Sequence, residues 1–318
     1  MSTERNSKFF IVDCHVHTYP SREIGLASQG GKSMCGNDGT IPELLGIMKE
    51  FDISKAVMLN MTPVGAMREA SLAQLPPGLS DADKEDRIRE IDRKLTGRIE
   101  RRNLWTTEIA KDNPTLVPFI GLDPIMGADL IRKEVLDKVQ NHGAKGIKIV
   151  PSEQQFSPAD HRAWAIYEVA QEVDLPILAD SGKFPTDPQF GEPRLYEQVK
   201  GKFPRLRLIL AHLGRGFYDQ TLQLAKTYPS VYFDCSDVVT RGKGEGLVDA
   251  PDALSDTEFI SLIRDVGVER VMFGSDYPFL RPEWGIRRIL NLDMSEQEKR
   301  AILGQNAVRI LGLKENVY

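Results

Sequence analysis

The chain has 318 residues, 41% of them hydrophobic, and carries a formal net charge of -5. This balance offers no basic face for nucleic acid or for an anionic membrane surface, and no apolar run approaches the ~20 residues of a membrane span. Three scattered cysteines are too few for a disulfide framework or a cysteine-based zinc site, and the polar N-terminus lacks a signal-peptide pattern. We therefore predict one domain over residues 1–318, in the cytoplasm, with neither nucleic acid nor membrane as a partner.

Short β-rich apolar runs alternate with longer amphipathic stretches along the chain. The predicted strands are Phe9–Val12, Lys55–Leu59, Thr115–Ile120, Ala144–Val150, Pro176–Ala179, Arg207–Ala211, Val231–Asp234 and Arg270–Phe273. Helical patterns between them include Ile131–Asn141, Asp160–Glu172, Arg194–Lys200, Tyr218–Thr227 and Asp256–Val266. Eight strand–helix units predict a parallel α/β fold closed into a (β/α)8 barrel, the TIM barrel. An open doubly wound sheet is the weaker alternative, because no strand leads into a phosphate-binding glycine turn.

Two segments interrupt this rhythm and predict loop insertions after strands 1 and 2. Residues Thr18–Thr40 are rich in Gly and Ser, and Met61–Glu90 begins as a Pro-rich loop that runs into a charged helix. Because arginines and acids are mixed on that helix, we interpret its charged face as solvated. Near the C-terminus, Ser295 and Glu298 have the spacing of a capping box, which predicts the start of a helix there.

The first predicted strand runs into Asp13-Cys14-His15-Val16-His17. Alternation along a strand places His15 and His17 on the same side, which in a barrel is the interior. Two converging imidazoles pack poorly in a core but make good metal ligands, so we predict the first half of a metal site. The alternative is a pair of hydrogen-bonded interior histidines.

Strands four and five contribute groups of opposite charge. Lys148 alternates with Gly146 and Val150, which predicts an interior side chain. It could bind substrate, bridge two metals after carbamylation, or form an interior ion pair. Asp180 ends an apolar strand, where its burial requires a cation, Lys148 or a turn that it caps.

Strands six to eight also end in polar residues. His212 follows an apolar run, and Arg215 lies between two glycines in a loop suited to carboxylate binding. Asp234 ends strand seven, and we interpret it as structural. Asp276 follows a corner of small residues after strand eight and is the candidate metal-linked general base.

Together these motifs resemble the amidohydrolase superfamily, and within it amidohydrolase family 2, the branch of aminocarboxymuconate-semialdehyde decarboxylase-like metal-dependent hydrolases. The resemblance runs through nearly the whole chain, and its motifs are specific because all occur in this order. They are Val12-Asp13-Cys14-His15-Val16-His17, Gly146-Ile147-Lys148, Leu210-Ala211-His212-Leu213-Gly214, Phe273-Gly274-Ser275-Asp276-Tyr277-Pro278 and Ile302-Leu303-Gly304-Gln305-Asn306-Ala307.

Carried over by position, the resemblance implies that His15, His17 and Asp276 bind a divalent metal ion while His212 polarises the substrate or assists catalysis. The chain departs from the family at strand five, where Asp180 replaces the usual metal-binding histidine. Three outcomes are open: an oxygen ligand, a metal held without strand five, or a site that has lost its metal. We predict an oxygen ligand, with zinc as the expected ion and manganese, iron or magnesium favoured more than in a site with three histidines.

The leading functional prediction is a metal-dependent hydrolase in which a metal-activated water attacks the substrate, Asp276 takes its proton and His212 stabilises the developing charge. Lys148 and Arg215 are predicted to bind a small carboxylate-bearing substrate such as a lactone or amide. One alternative is a decarboxylase of an aromatic or muconate-type acid, to which Asp276 or His212 delivers a proton. Another is a non-catalytic barrel with a degraded metal site. A homodimer is the default expectation for assembly.

Overall fold

The computed structural model describes residues 9–183, 190–243 and 246–315. Within these ranges eight strands form one sheet in which every paired neighbour is parallel, in the order of the chain. The strands are β1 (Ile11–Val16), β2 (Ile53–Leu59), β3 (Leu116–Gly121), β4 (Gly146–Ile149), β5 (Ile177–Ala179), β6 (Leu208–Leu210), β7 (Val231–Asp234) and β8 (Val271–Met272).

Helices lie between the strands and after the last of them. They are α1 (Arg22–Ser28), α2 (Ile41–Glu50), α3 (Val64–Leu72), α4 (Asp81–Asp112), α5 (Ala128–His142), α6 (Pro151–Gln154), α7 (Trp164–Glu172), α8 (Tyr196–Lys202), α9 (Tyr218–Thr227), α10 (Asp256–Val266), α11 (Pro282–Asn291), α12 (Glu296–Arg300) and α13 (Asn306–Leu311). The predicted capping box is present at the start of α12. Among the described residues, no helix combines the length and apolar content needed to cross a membrane.

Hydrogen bonds between β1 and the segment that follows β8 close the ring. The Cys14 amide donates to the Phe273 carbonyl at 2.9 Å, and the Asp276 amide donates to the His15 carbonyl at 2.9 Å. The predicted (β/α)8 barrel is therefore confirmed. The insertions after β1 and β2 contain helices as well as loops, namely α1 in the first and α3 in the second.

The closed sheet separates two apolar clusters. The outer cluster lies between the strands and the surrounding helices. The inner cluster fills the barrel and includes side chains from α13; its members are Val12, Cys14, Val57, Leu59, Val117, Phe119, Leu178, Ile209, Ala211, Met272, Ala307, Ile310 and Leu311. Phe10 and Tyr232, at the N-terminal ends of their strands, also pack against it, so α13 covers the barrel end opposite the strand C-termini.

Strand β1 extends four residues beyond the predicted Phe9–Val12. The run of apolar residues ends at Val12, but Asp13 and His15 remain in the sheet because Asp13 Oδ1 and the His15 ring have buried partners. Asp13 Oδ1 accepts the Ser275 amide at 2.9 Å and the His15 amide at 3.2 Å. The pairing of β1 with β2 also shifts register between Asp13 and Val16, where three steps along β1 match two along β2.

Candidate metal centre and active-site cavity

The polar residues predicted at the strand ends meet around one cavity of about 550 Å³, a volume within the range of small-molecule sites. Its walls include His15, His17, Asp180, His212, Arg215 and Asp276. These residues come from β1 and from the segments after β5, β6 and β8, which meet because all parallel strands of a barrel end at the same face.

Three ligand atoms converge at the β1–β8 side of this cavity. His15 Nε2 and His17 Nε2 are 3.2 Å apart, and Asp276 Oδ1 is 3.6 Å from each of them. Donor atoms that share an ion at about 2.1 Å with angles of about 90–110° are separated by roughly 3.0–3.4 Å. The three atoms are therefore spaced almost as a shared cation requires, and they form one of the groups able to hold a metal.

The protonation of His15 suits metal binding. Its Nδ1 lies 3.0 Å from Asp234 Oδ2, and a carboxylate accepts only from a protonated nitrogen, so the Nε2 lone pair faces the cavity. Burial, reinforced by the charge of Lys148, lowers the pKa of His15 to about 4, and burial holds the pKa of His17 well below its ordinary value. Both rings are therefore neutral at physiological pH, as metal ligands must be.

The donor atoms repel one another unless a positive charge lies between them. When neither Nε2 atom carries a proton, two imidazole lone pairs and a carboxylate oxygen within 3.6 Å have no mutual attraction in a buried site. Burial, although opposed by the charge of His212, raises the pKa of Asp276 to about 8, so a proton competes for this carboxylate. A divalent cation relieves both penalties, and the residues present fit one.

Asp180 lies beside this group and contacts His212 and Lys148. Its Oδ1 is 3.0 Å from His212 Nε2 and 3.4 Å from Lys148 Nζ. Although burial opposes it, the charge of Lys148 and the hydrogen bond from His212 keep the pKa of Asp180 well below its usual range. Among the described residues, two sets of convergent ligand atoms could hold a metal, one from His15, His17 and Asp276 and one from His15, His212 and Asp234, and Asp180 belongs to neither. The sequence leaves three outcomes open at strand five: an oxygen ligand, a metal held without this strand, or a lost metal site. The geometry favours a metal held without Asp180.

Lys148 faces the barrel interior, as its alternation in the sequence predicts, and its side chain is inaccessible to solvent. It pairs with Asp180, which lines the cavity. Lys148 itself is not among the described residues that line the cavity. The predicted direct contact between Lys148 and substrate therefore has no support in the geometry. An interior ion pair, one of the alternatives raised from the sequence, describes its contacts.

His212 has acceptors at both ring nitrogens. Nδ1 lies 3.1 Å from the Ser236 carbonyl and 2.9 Å from Ser236 Oγ, while Nε2 faces Asp180. Although burial opposes it, the hydrogen bond to Asp180 raises the pKa of His212 to about 9. The ring therefore carries two protons at neutral pH, one of them shared with an aspartate that lines the cavity.

Asp234 and Ser236 connect the metal-binding group to His212. Besides its contact with His15, Asp234 accepts the His212 amide at 3.1 Å and the Ser236 amide at 3.0 Å. Ser236 Oγ also donates to Asp234 and lies 3.1 Å from His15 Nδ1. These contacts agree with the interpretation of Asp234 as a structural residue, and they place that role inside the site. The position of Asp234 at a strand end, like those of Asp180 and Asp276, was the available signal.

Arg215 also lines the cavity, but its guanidinium contacts protein groups. Nη1 pairs with Asp237 and Nη2 donates to the Lys183 carbonyl at 2.9 Å. Asp237 in turn accepts Arg241 Nε at 2.8 Å. Asp237 and Arg241 are thus cavity residues that the sequence analysis did not select as site residues, since neither lies at a strand terminus.

Backbone strain is concentrated around the cavity. Of the seven non-glycine residues with positive φ in the described chain, His212, Asp237 and Asp276 all line it, with φ of 59°, 59° and 66°. Such conformations cost about 1–3 kcal/mol each and persist where the surroundings hold them. Their clustering supports the assignment of this cavity as the functional site.

The fold and this site together define a class: an α/β-barrel enzyme whose strand ends carry a metal-binding His, His, Asp group. The model of the amidohydrolase family (Amidohydro_2) matches residues 12–313. The chain therefore belongs to the amidohydrolase family, as its motifs predict.

One curated relative is 2-amino-3-carboxymuconate-6-semialdehyde decarboxylase from Caenorhabditis elegans, 31% identical over 121 residues. That match spans 36% of this chain and 30% of the relative. It places a decarboxylase among the proteins whose sequences resemble part of this one.

Several solved structures share the fold over nearly their whole length. A 2,6-dihydroxybenzoate decarboxylase bound to 2,6-dihydroxybenzoate has a TM-score of 0.68 at 14% identity, covering 96% of this chain and 100% of that one. A dihydroxybenzoic acid decarboxylase from Polaromonas sp. JS666, with manganese and 2-nitroresorcinol, has a TM-score of 0.68 at 16% identity, covering 98% and 99%. A 5-carboxyvanillate decarboxylase from Sphingomonas paucimobilis has a TM-score of 0.65 at 14% identity, covering 96% and 100%. At these identities the likeness is one of fold.

Proposed function

We propose that the protein is a metal-dependent decarboxylase of a small aromatic or muconate-type acid. One observation carries this proposal: His212 Nε2 lies within hydrogen-bonding distance of Asp180 Oδ1 in the same cavity as the convergent His15, His17 and Asp276. Decarboxylation needs a site that holds an acid and a proton donor for the carbon left behind. The names of the related decarboxylases support the same reaction.

His15, His17 and Asp276 would hold the divalent cation. When bound, the cation supplies positive charge that binds and polarises the oxygens of an acidic substrate. Two nitrogen donors and one oxygen suit zinc or manganese, and two of the similar decarboxylases were crystallised with manganese. Because Asp180 is engaged elsewhere, it adds no preference for magnesium.

His212 and Asp180 would carry the proton transfer. The bond between the substrate carbon and its carboxylate breaks, carbon dioxide leaves, and the electron pair remaining on the carbon takes the proton shared by His212 Nε2 and Asp180 Oδ1. Solvent then restores that proton. Lys148 keeps Asp180 ionised, so Asp180 stabilises the doubly protonated ring of His212 before the transfer.

Hydrolysis, the leading prediction from the sequence, uses the same residues differently. It requires Asp276 to act as the base for an attacking water and His212 to stabilise a developing oxyanion. A doubly protonated His212 is compatible with either reaction. The relatives favour decarboxylation, and the two reactions differ in their products.

The test is a product analysis on protein loaded with Mn²⁺ or Zn²⁺. Hydroxybenzoates, 5-carboxyvanillate and 2-amino-3-carboxymuconate-6-semialdehyde are offered in D₂O, and we expect carbon dioxide release with one deuterium on the carbon that carried it. His212→Gln should lower kcat by about 10²- to 10⁴-fold while metal content stays at that of the wild-type protein. The control, His161→Gln, changes a ring that is 79% exposed. Products that keep every carbon and gain ¹⁸O from labelled water would instead establish a hydrolase.

A further inference from the structure

Two arginines share one buried aspartate in the cavity wall. Asp237 Oδ2 pairs with Arg215 Nη1, and Asp237 Oδ1 accepts Arg241 Nε at 2.8 Å. All three residues line the same cavity as His15, His17 and Asp276. They come from the segments after β6 and β7, so this arginine pair is a feature of the barrel mouth separate from the metal-binding group.

Asp237 is held in an unfavourable backbone conformation. Its φ is 59° and its ψ is -53°, a region in which residues with a side chain are strained. Its carboxylate is 8% exposed, and the two guanidinium groups compensate its burial. Strain of this kind persists where the surrounding contacts enforce it and is frequent at ligand clamps.

The two arginines differ in how much of each guanidinium is already engaged. Arg215 is 6% exposed, and its three nitrogens face Asp237, the Lys183 carbonyl and Asp252. Arg241 has 22% of its side chain exposed, and its Nη2 donates no hydrogen bond to the described residues. Arg215 therefore positions Asp237, while Arg241 presents a donor at the cavity wall.

Two acids face the two arginines of this wall. Asp237 neutralises one of the two guanidinium groups. The second acid, Asp252, has 44% of its side chain exposed, lies 3.3 Å from Arg241 Nη1, and is absent from the cavity lining. Exposed ion pairs of this kind contribute about 0–1 kcal/mol and are screened by salt, so Asp252 is a weak competitor for a ligand carboxylate.

Apolar residues of the cavity wall indicate which kind of molecule would carry such an anion. Phe279, Leu280, Trp284 and Val248 line the same cavity. A ligand in this cavity therefore meets apolar side chains as well as the arginines, which suits a planar aromatic or conjugated body.

We propose that Arg241, positioned by Asp237 and Arg215, binds a second anionic group of the substrate, so that the enzyme selects acids with two carboxylates over acids with one. This inference rests on the proposed function for the carboxylate held at the metal. It moves the predicted substrate contact from Arg215 to Arg241.

The test compares two ligands that differ only in the second charge. Benzoate and benzene-1,3-dicarboxylate are titrated calorimetrically into Mn²⁺-loaded protein, and the dicarboxylate should bind at least about tenfold more tightly. Arg241→Gln should weaken dicarboxylate binding by about ten- to a hundredfold and leave benzoate binding within about twofold. Arg241→Lys, which keeps the charge but loses the planar fork of donors, should give an intermediate loss.

The matched control is Arg281→Gln, because Arg281 pairs with Glu283 at 2.9 Å, is 45% exposed and lies outside the cavity lining. Equal weakening of both ligands in both Arg241 variants, or no preference for the dicarboxylate in the wild-type protein, overturns the proposal. Binding is measured without turnover, so charge discrimination without carbon dioxide release would refute only the proposed reaction. Carbon dioxide release with equal kcat/KM for acids with one and two carboxylates would refute only the Arg241 site.

Discussion

The two ring nitrogens of His15 connect the metal-binding group with the hydrogen bonds around His212. Nδ1 is committed to Asp234, which also accepts the backbone amide of His212. Nε2 faces His17 and Asp276. A change at Asp234 therefore reaches both the metal-binding group and His212, and the ring centroids of His15 and His212 lie 4.8 Å apart. At this scale the site is one hydrogen-bonded unit.

Metal binding should release a proton from Asp276. Because burial raises the pKa of this carboxyl to about 8, it is protonated below that pH before the cation arrives and must ionise to bind it. We expect affinity for Zn²⁺ or Mn²⁺ to rise with pH up to about 8 and to level off above it, with about one proton released per ion at pH 6.5. Calorimetry in buffers of different ionisation enthalpy measures that number. Proton release that is absent in the wild-type protein would contradict a protonated Asp276, and Asp276→Asn should release none.

At the scale of elements, one buried polar side chain of helix α4 forms hydrogen bonds with the barrel, beside the apolar residues that this helix packs against it. Asn103, which is inaccessible to solvent, accepts the Gly121 amide at 2.8 Å and donates to the Gly121 carbonyl and to Glu134, both at 3.0 Å. The side-chain amide of Asn60 donates to Asn103 Oδ1 at 2.5 Å. This network joins α4 to the ends of β2 and β3, on the outer side of the strands.

Asn103→Ala should lower the free energy of unfolding by about 3 kcal/mol, because it leaves several buried polar groups without partners. Urea denaturation followed by circular dichroism measures the loss. Lys94→Ala on the same helix removes an exposed pair with Glu90 and should change stability by less than about 0.5 kcal/mol. Since Asn103 does not line the cavity, metal content should stay at the wild-type value in both variants. A loss for Asn103→Ala as small as that of the control would refute the role of the network.

For the whole molecule, the tightly packed interior of the barrel supports the strand ends that carry the site. Gly146 lies where a methyl group would overlap the ring of Phe119 from the neighbouring strand. Phe119 is completely buried in the inner cluster. Two residues further along the same strand, Lys148 reaches Asp180. Strand β4 therefore carries both Gly146, which packs against Phe119 inside the barrel, and Lys148, which pairs with Asp180 at the barrel mouth.

Gly146→Ala should destabilise the protein by about 1–3 kcal/mol through overpacking. The double variant with Phe119→Leu should be less destabilised than the sum of the two single variants, because the smaller side chain makes room for the methyl group. Free energies of unfolding in urea give the comparison. Gly201→Ala is the control, since nothing lies within 4 Å of the added group. Additive effects in the double variant would show that the two positions do not compete for space.

Local sequence patterns were sufficient to predict the strands, their closure into a barrel and the polar residues at the strand ends. The reason is that apolar alternation and strand-end polarity are properties of short segments, and parallel strands bring their C-terminal ends to one face. The same pattern predicts His15, His17 and Asp276 as site residues, and the structure brings their ligand atoms together. The boundary of β1 was misplaced because the partners that retain Asp13 in the sheet lie 262 residues away.

Which polar groups pair with one another was decided only by the tertiary structure. Asp180 can be a metal ligand or an ion-pair partner by its chemistry, and the positions of Lys148 and His212 determine that it is engaged with them. Asp234 acquires its role by meeting His15 across 219 residues. A carboxylate takes its function from the charges within a few ångströms of it, and in a closed barrel those charges come from strands far apart in the chain.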